Sequence, residues 1–424
     1  MLLFCFSLAY GDGDEQGIIF ESRSFPKNLK EDGFWAGIHA GKDGKVYIGL
    51  NTEGGGSAQF YIYDPQTDEI RHRADMSEFL GEKGKGIQTH AKIHTKFCED
   101  NEGRIYFSTG NMGAGPNEVD PRTWKGGHWC RYNPKTDTLE DLGLVLPYYG
   151  VYGLTIDPVR MRLYGTASNG HFVIFDLATK TTIDKGRIHY HARSVARTIV
   201  ADDEGNVYGT YLPDRIFKYD AKNDWLLDFS IQIPSDPDIL PRTHSIYKRY
   251  MRAGVWDEVN KKIYGVEGGT SYLFEYDPKV GTEGQIRKLA QLLPEDETDL
   301  LRRAHYASLS FTLGKDRKIY YLPIGSLEFP EENKGIDFFS WAGQAHLITY
   351  DLNSGQKRGL GRVFVEDGLR VIDFLNRAPS GGATTGPNGA IYFCGFVEEK
   401  NPQKASSTFG KIPARLRLLI YRPQ

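Results

Sequence analysis

The residues of this 424-residue chain best suited to chemistry are its histidines, and they gather in a few short segments. His90 and His94 lie in THAKIHT, His128 in GGHWC, His171 in NGHF, His189 and His191 in IHYHAR, His244 in RTHS and His305 in RRAHY. Imidazoles titrate near neutrality, so a group of them can move protons or ligate a metal. One histidine alone is more often a structural hydrogen-bonding residue, whereas several meeting around one axis shift that balance. Many of these segments, and their neighbours, are also basic: Lys92, Arg193, Arg197, Lys248, Arg249, Arg252, Arg302 and Arg303. The whole chain is slightly acidic, with 52 Lys plus Arg against 55 Asp plus Glu, so any attraction for an anion is local. Positive charge collected in a concave site draws an anion far better than the same charge spread over a surface, although for any single residue a solvated basic rim is the plain alternative.

What brings such segments together is a repeat. An Asp/Asn/Gly-rich turn followed by an apolar strand carrying Tyr occurs seven times: DGKVY to Tyr47, NEGRIY to Tyr106, DPVRMRLY to Tyr164, DDEGNVY to Tyr208, DEVNKKIY to Tyr264, GKDRKIY to Tyr320 and PNGAIY to Tyr392. A polar turn that reverses the chain before an alternating strand is hairpin chemistry. A further strand then ends in an aromatic-polar pair: Tyr63-Asp64, Tyr132-Asn133, Phe175-Asp176, Tyr219-Asp220, Tyr276-Asp277 and Tyr350-Asp351, with a degenerate copy at Tyr421. The seven tyrosines are 44 to 72 residues apart, the size of a four-stranded blade with variable loops. The expected fold is all-β: a seven-bladed β-propeller of four-stranded antiparallel blades forming one domain over residues 17–424. The last blade runs out of chain after its third strand, so the apolar segment Gly17 to Phe25 is expected to close it and remove an exposed edge. A tandem pair of β-sandwiches would not predict seven equivalent hairpins.

Counting back twelve positions from each tyrosine gives Trp35, His94, Tyr152, Ala196, Arg252, Ser308 and Ser380 as equivalent positions on the inner strands. Two insertions, Gly110 to Gly127 with Trp124 and Ile324 to Gly343 with Trp341, add aromatic groups that either stack on sugar rings or anchor their own loops.

Composition sets outer limits. With 40% hydrophobic and 13% aromatic residues the chain has material for a large β-rich core. A net charge of −3 gives no global basic excess for nucleic acid or a membrane surface. Leu2 to Tyr10 is too short to span a bilayer, and residues 1–16 are read as a signal remnant or a flexible N-terminus. Cys5, Cys98, Cys130 and Cys394 show no CxxC spacing; buried small apolar residues are the leading reading, with a Cys/His zinc site weakly supported. There is no Gly-rich phosphate loop opening a helix, no HExxH and no GxSxG, and carboxylates are sparse in the inner-strand segments, which disfavours paired-carboxylate hydrolysis.

The blade pattern, with a histidine on the second inner strand and another on the following loop (His94 and His128), resembles the seven-bladed propeller polysaccharide lyases, most of all the ulvan lyase families. The resemblance covers nearly the whole chain and implies a tyrosine and a charge-neutralising arginine as well. Tyr152 or Tyr190 fits the first, and Arg193, Arg197 or Arg252 the second. Independently of any family, β-elimination from a uronic-acid polymer needs a base for the proton beside the carboxylate, a cation for the enolate-like charge and an acid for the departing oxygen. The expected catalytic set is His94 with Tyr152 as base and acid, His128 as a second catalytic or carboxylate-polarising group, and Arg197 as neutraliser. His171, Tyr190, Arg193, Arg252 and His305 would line the subsites. No cofactor is required for this route, while zinc or calcium remains a structural or catalytic option. The expected partner is an acidic, ulvan-like polysaccharide or oligosaccharide met by a secreted or periplasmic monomer, with no nucleic acid and no membrane span. The alternatives are a noncatalytic propeller that binds a glycan or protein, and a metal-dependent oligouronide lyase or lactonase.

Overall fold

The computed structural model describes residues 17–26, 33–51, 57–83, 90–110, 124–188, 196–211, 214–234, 250–294, 307–323, 342–374, 381–401, 407–409 and 412–424. Five four-stranded antiparallel sheets follow one another along the chain. Their innermost strands are Gly33–Ala40, Cys98–Glu99, Val151–Asp157, Ile199–Ala201 and Met251–Asp257. Each is linked to the next strand of its sheet by the polar turn read from the sequence. This is a β-propeller with four-stranded antiparallel blades.

The recurring tyrosines explain why the turn and strand travel together. The hydroxyls of Tyr47, Tyr106, Tyr208 and Tyr320 donate to the turn carboxylates of Asp43, Asp100, Asp202 and Asp316, at 2.6, 2.9, 3.1 and 2.8 Å. A second set does the same at the outer turn: Tyr63 to Asp68, Tyr132 to Asp137 and Tyr219 to Asp224, each acceptor in the left-handed region with φ of 57°, 52° and 60°. The ring thus packs between sheets while its hydroxyl stays satisfied and pins the turn.

Among the described residues, the seven separate blades expected from the repeat are five, because the sixth and seventh repeats belong to one eleven-stranded sheet. Within it, Phe311–Leu313, Lys318–Tyr321, His346–Asp351 and Lys357–Val365 form one antiparallel run. Ala383–Thr385, Ile391–Glu398, Ile412–Tyr421 and Ile18–Ser24 form another. The N-terminal strand does pair with the C-terminal one, Glu21 opposite Ile420, but its first half also runs parallel to the sixth repeat, Ile18 opposite Val363. That double pairing fuses the two runs. The short strands Ala342–Gln344 and Val371–Phe374 extend the same sheet.

Apolar clusters fill the gaps between successive repeats, and the last one closes the circle: Phe34, Ile38 and Tyr61 of the first repeat pack with Tyr392, Phe396 and Leu418 of the seventh. The inner strands approach closely enough to exclude side chains, so that a Cβ on Gly382 would lie 2.8 Å from Ala36 O. Polar side chains complete the contacts, as where Thr198 Oγ1 donates to Arg252 O at 2.8 Å and Ser310 Oγ to Gly381 O at 2.6 Å. Among the described residues, no helix is long and apolar enough to cross a membrane. The segment 1–16 lies outside them.

Candidate functional site

The inner-strand register converges on His94. Its ring stacks on Trp35 of the first repeat, centroids 5.1 Å apart and planes 19° apart. Tyr152 of the third repeat meets it edge to face at 4.5 Å. From the fourth repeat, Arg197 Nη1 lies 3.1 Å from His94 Nε2, with the guanidinium 5.2 Å from the Tyr152 ring centre and 5.9 Å from that of Trp35. Lys92 Nζ lies 5.0 Å from the Trp35 ring centre. Arg252, from the fifth repeat, is wholly buried and donates its Nε to Ala307 O at 2.9 Å. Residues from successive repeats thus meet because the register is kept from one inner strand to the next.

The segment bearing His94 is held by contacts on several sides. Asn51 Oδ1 accepts the Ile93 N–H at 2.9 Å, Lys92 and Gly110 exchange backbone hydrogen bonds, and Thr95 Oγ1 accepts from Ser108 N. His94 is 2% exposed. Burial, and then the positive charges of Arg197, Lys92 and Arg252, hold its basicity well below the ordinary histidine value, with only a small opposing contribution from the Tyr152 backbone. The imidazole is therefore neutral. A guanidinium only donates, so the proton of that neutral ring sits on Nδ1 and Nε2 carries the lone pair.

His128 belongs to a different group. It opens the strand His128–Asn133 instead of lying on the preceding loop, and its Nδ1 is 2.8 Å from Asp141 Oδ1. It meets the His90 ring edge-on at 5.3 Å. Thr109 Oγ1 joins the two, accepting the His128 N–H at 3.0 Å and bonding His90 Nδ1 at 2.9 Å. Trp124 covers His90 at 5.1 Å. Glu82 Oε2 is 3.0 Å from His90 Nε2, but burial and then the neighbouring His128 depress His90 to about 3, so this contact is not an ion pair. Asp141 is pushed up by burial and brought down further by the His128 hydrogen bond and the Gly143 N–H, ending below its usual value.

The His128–Asp141 pair recurs. His171 Nδ1 lies 2.8 Å from Asp184, Arg215 Nη2 2.9 Å from Asp228, and His72 Nε2 2.7 Å from Gln59. Each joins the first residue of a third strand to the outer strand thirteen residues on. His171 is accordingly an outer-strand neighbour and not a partner of His94. Tyr190, Arg193 and His305 lie outside the described residues, as do His189, His191, His244, Lys248, Arg249, Arg302, Arg303, Trp341 and Ser380.

Three participants were not singled out from sequence. Trp35 stood in the counted register, and that position was its signal. The His128–Asp141–Gly143 arrangement is echoed by His171–Asp184–Gly186, whose equal spacing marks a structural pair. Lys96, two residues after His94, crosses towards the fifth repeat. Cys130 and Cys394 are buried in apolar clusters. Among the described residues, no group of three or more His, Cys, Asp or Glu is arranged to hold a metal.

No family model and no curated protein matches the chain. Solved structures do. It is similar to a chain of the mitotic checkpoint complex, at 11% identity and a TM-score of 0.53 over 99% of each chain. The WD40 repeats of RRP9 align at 9% identity and 0.55, over 96% of this chain and 99% of that one. A periplasmic gluconolactonase of Pseudomonas aeruginosa, PpgL, aligns at 14% and 0.50, over 88% and 98%. At these identities the likeness shows the β-propeller fold alone.

Proposed function

We propose that the protein is a lyase that cleaves a uronic-acid-containing polysaccharide by β-elimination at the His94 site. The observation that carries this reading is the contact of a neutral buried imidazole with both a tyrosine and an arginine. A substrate carboxylate is a better acceptor for the guanidinium than an imidazole nitrogen, since the pair is charge-assisted and can be bidentate. On binding, it draws Arg197 from His94 Nε2. The freed lone pair takes the proton beside the carboxylate, the electron pair forms the carbon-carbon double bond, and the glycosidic carbon-oxygen bond breaks. Tyr152 gives its hydroxyl proton to the departing oxygen, and exchange with water restores both groups. Arg197, now on the carboxylate, balances the charge that grows there in the transition state.

Arg252 and Lys92 supply further positive potential, and Tyr190, Arg193 and His305 remain proposed subsite residues. His128 is proposed to act through the His90 segment instead of on the substrate. We read the fused sheet as two further blades joined by the N-terminal strand, giving seven in all. A polymer of this kind is met outside the cell, so an exported monomer is proposed with it. No metal is needed in these steps.

Incubation with ulvan, glucuronan, pectic and glycosaminoglycan chains should produce ultraviolet absorbance from unsaturated uronide ends. Silence across the panel would sink the lyase reading. The capped state of Nε2 favours a second reading, a propeller that binds an acidic glycan without turnover, and binding to the same panel with no absorbance would select it. The fold shared with a gluconolactonase keeps lactone hydrolysis as the remaining alternative, for which release of acid from aldonolactones, with and without a chelator, is the assay.

A further inference from the structure

We propose that Trp35 is a positioning residue of the His94 site, whose indole fixes the cations Lys92 and Arg197 around the imidazole so that a substrate carboxylate is met by charge already in place. Its part in turnover rests on the lyase reading, whereas the geometry that carries it does not. Trp35 lies on the first inner strand, Gly33–Ala40, where the ladder to the next strand is interrupted: Phe34 pairs with Leu50 and Ile38 with Ile48, so Trp35, Ala36 and Gly37 stand opposite Gly49 alone. Extra residues of this kind bend a strand and re-aim a side chain. The bulge is seated on the residue before His94, since a Cβ on Gly37 would lie 3.0 Å from Ile93 O and one on Gly49 2.7 Å from Ile93 Cβ. From the seventh repeat, the Gly382 N–H donates to Trp35 O at 2.5 Å.

The redirected ring meets three working parts of the site at once. The His94 imidazole stacks on it at 5.1 Å, Lys92 Nζ lies 5.0 Å from its centre and the Arg197 guanidinium 5.9 Å. Lys92 and Arg197 come from different repeats and repel each other, so something must hold them together. An indole is the best aromatic partner for a cation, because its electron-rich face attracts positive charge. Trp35 also packs against the apolar cluster that includes Ala253 and Leu309. Apolar bulk alone would serve that contact, whereas the cations need the face of the ring. Charge held in position before the carboxylate arrives costs no rearrangement when the reaction begins.

The test uses the full chain with tetrafluorotryptophan placed at position 35, which keeps the shape of the ring and drains the negative charge from its face. In protein labelled at the histidine ring nitrogens, the NMR resonance of His94 Nε2, assigned by its absence in His94→Ala, should move towards its position in Arg197→Ala as Arg197 leaves the lone pair. With an active polymer the fluorinated protein should show KM raised about tenfold, the loss expected when the carboxylate meets cations that are no longer held. A merely structural defect lowers kcat through lost active enzyme and leaves KM alone. Trp35→Phe, which keeps an aromatic face, should stay near wild type, and Trp35→Leu should lose at least as much as the fluorinated protein. An Nε2 resonance unmoved by fluorination, or a Trp35→Leu that matches Trp35→Phe, would overturn the proposal. Should Trp35→Leu fail to fold, the fluorinated ring decides alone. If no polymer is turned over, the lyase reading falls, while the nitrogen resonance still decides the role of Trp35.

Discussion

Arg197 covers the one lone pair of the His94 ring, its Nη1 3.1 Å from Nε2, so that the group best suited to accept a proton is held by a cation until something displaces it. Two substitutions separate the roles. His94→Ala should reduce turnover on an active polymer by about a thousandfold with the circular dichroism unchanged, the loss expected of a general base. Arg197→Ala should cost about a hundredfold or more, because enolate charge then develops without its cation. Retained turnover in His94→Ala would show that another group is the base.

The two buried histidines give a pH dependence of stability. Both fold with depressed basicity, His90 to about 3 and His94 well below the ordinary value. The unfolded chain takes up these protons near 6.5 while the folded chain does not, so the unfolded state binds more protons and stability falls as pH falls. The window opens near pH 6.5 and extends for His90 to about 3. The slope is about 1.4 kcal/mol per pH unit for each histidine. Denaturant unfolding at stepped pH should show it, and His90→Gln should lessen it. For catalysis the same neutrality predicts no loss of kcat/KM on crossing pH 6.5; an acid limb centred there would mean that His94 is not held neutral.

The repeat was legible because each copy carries its own local reason: a turn carboxylate, a tyrosine hydroxyl that bonds it and an apolar strand between. Register followed from that, and it sufficed to bring Trp35, His94, Tyr152 and Arg197 to one place. Pairings between distant strands were not legible. Nothing local to Gly17 to Phe25 tells that the strand also runs beside Val363, which is why separate sixth and seventh blades were expected. His128 shows a related limit: its type and loop position suggested chemistry, and the partner that holds it, Asp141, sits across a strand pair that no single segment reveals. Arg252 was expected to act on substrate, yet its side chain is fully buried and tied to Ala307. Burial is set by the whole ring, which no single segment reveals.

The His90–His128 group offers a prediction of coupling. His128→Ala should lower stability by about 0.5 to 1.5 kcal/mol, since Asp141 loses its imidazole partner and His90 its edge-on ring neighbour, while the backbone N–H to Thr109 is kept. Its effect on turnover should be much smaller than that of His94→Ala. Because the two rings meet edge-on at 5.3 Å, the losses in His90→Gln and His128→Ala should not add, with a coupling of about 0.5 kcal/mol or more in a double-mutant cycle. Additive losses would show that the two histidines act independently. A thousandfold drop in turnover in His128→Ala with unchanged stability would return it to the catalytic set.

Between the fifth and sixth repeats, Arg317 grips Asp257 with both guanidinium nitrogens, at 2.5 and 2.6 Å, and the carboxylate is 1% exposed. Burial raises the Asp257 pKa, but Arg317 and the Val259 N–H more than offset this, and it ends below its usual value. Arg317→Ala should therefore cost about 3 kcal/mol at neutral pH, most of it the cost of a buried carboxylate left without its cation. The pH dependence distinguishes this from lost packing. Without Arg317, burial dominates and the carboxyl binds its proton more tightly folded than unfolded, so its cost is present above its folded pKa and fades as pH falls through it. The stability gap to wild type should be widest near pH 7 and narrow in acid, where Asp257 is neutral in the variant and the wild-type pair is being lost. Arg317→Ala combined with Asp257→Asn should recover part of the loss at pH 7, and no recovery there would mean that packing, not charge, held the two repeats together.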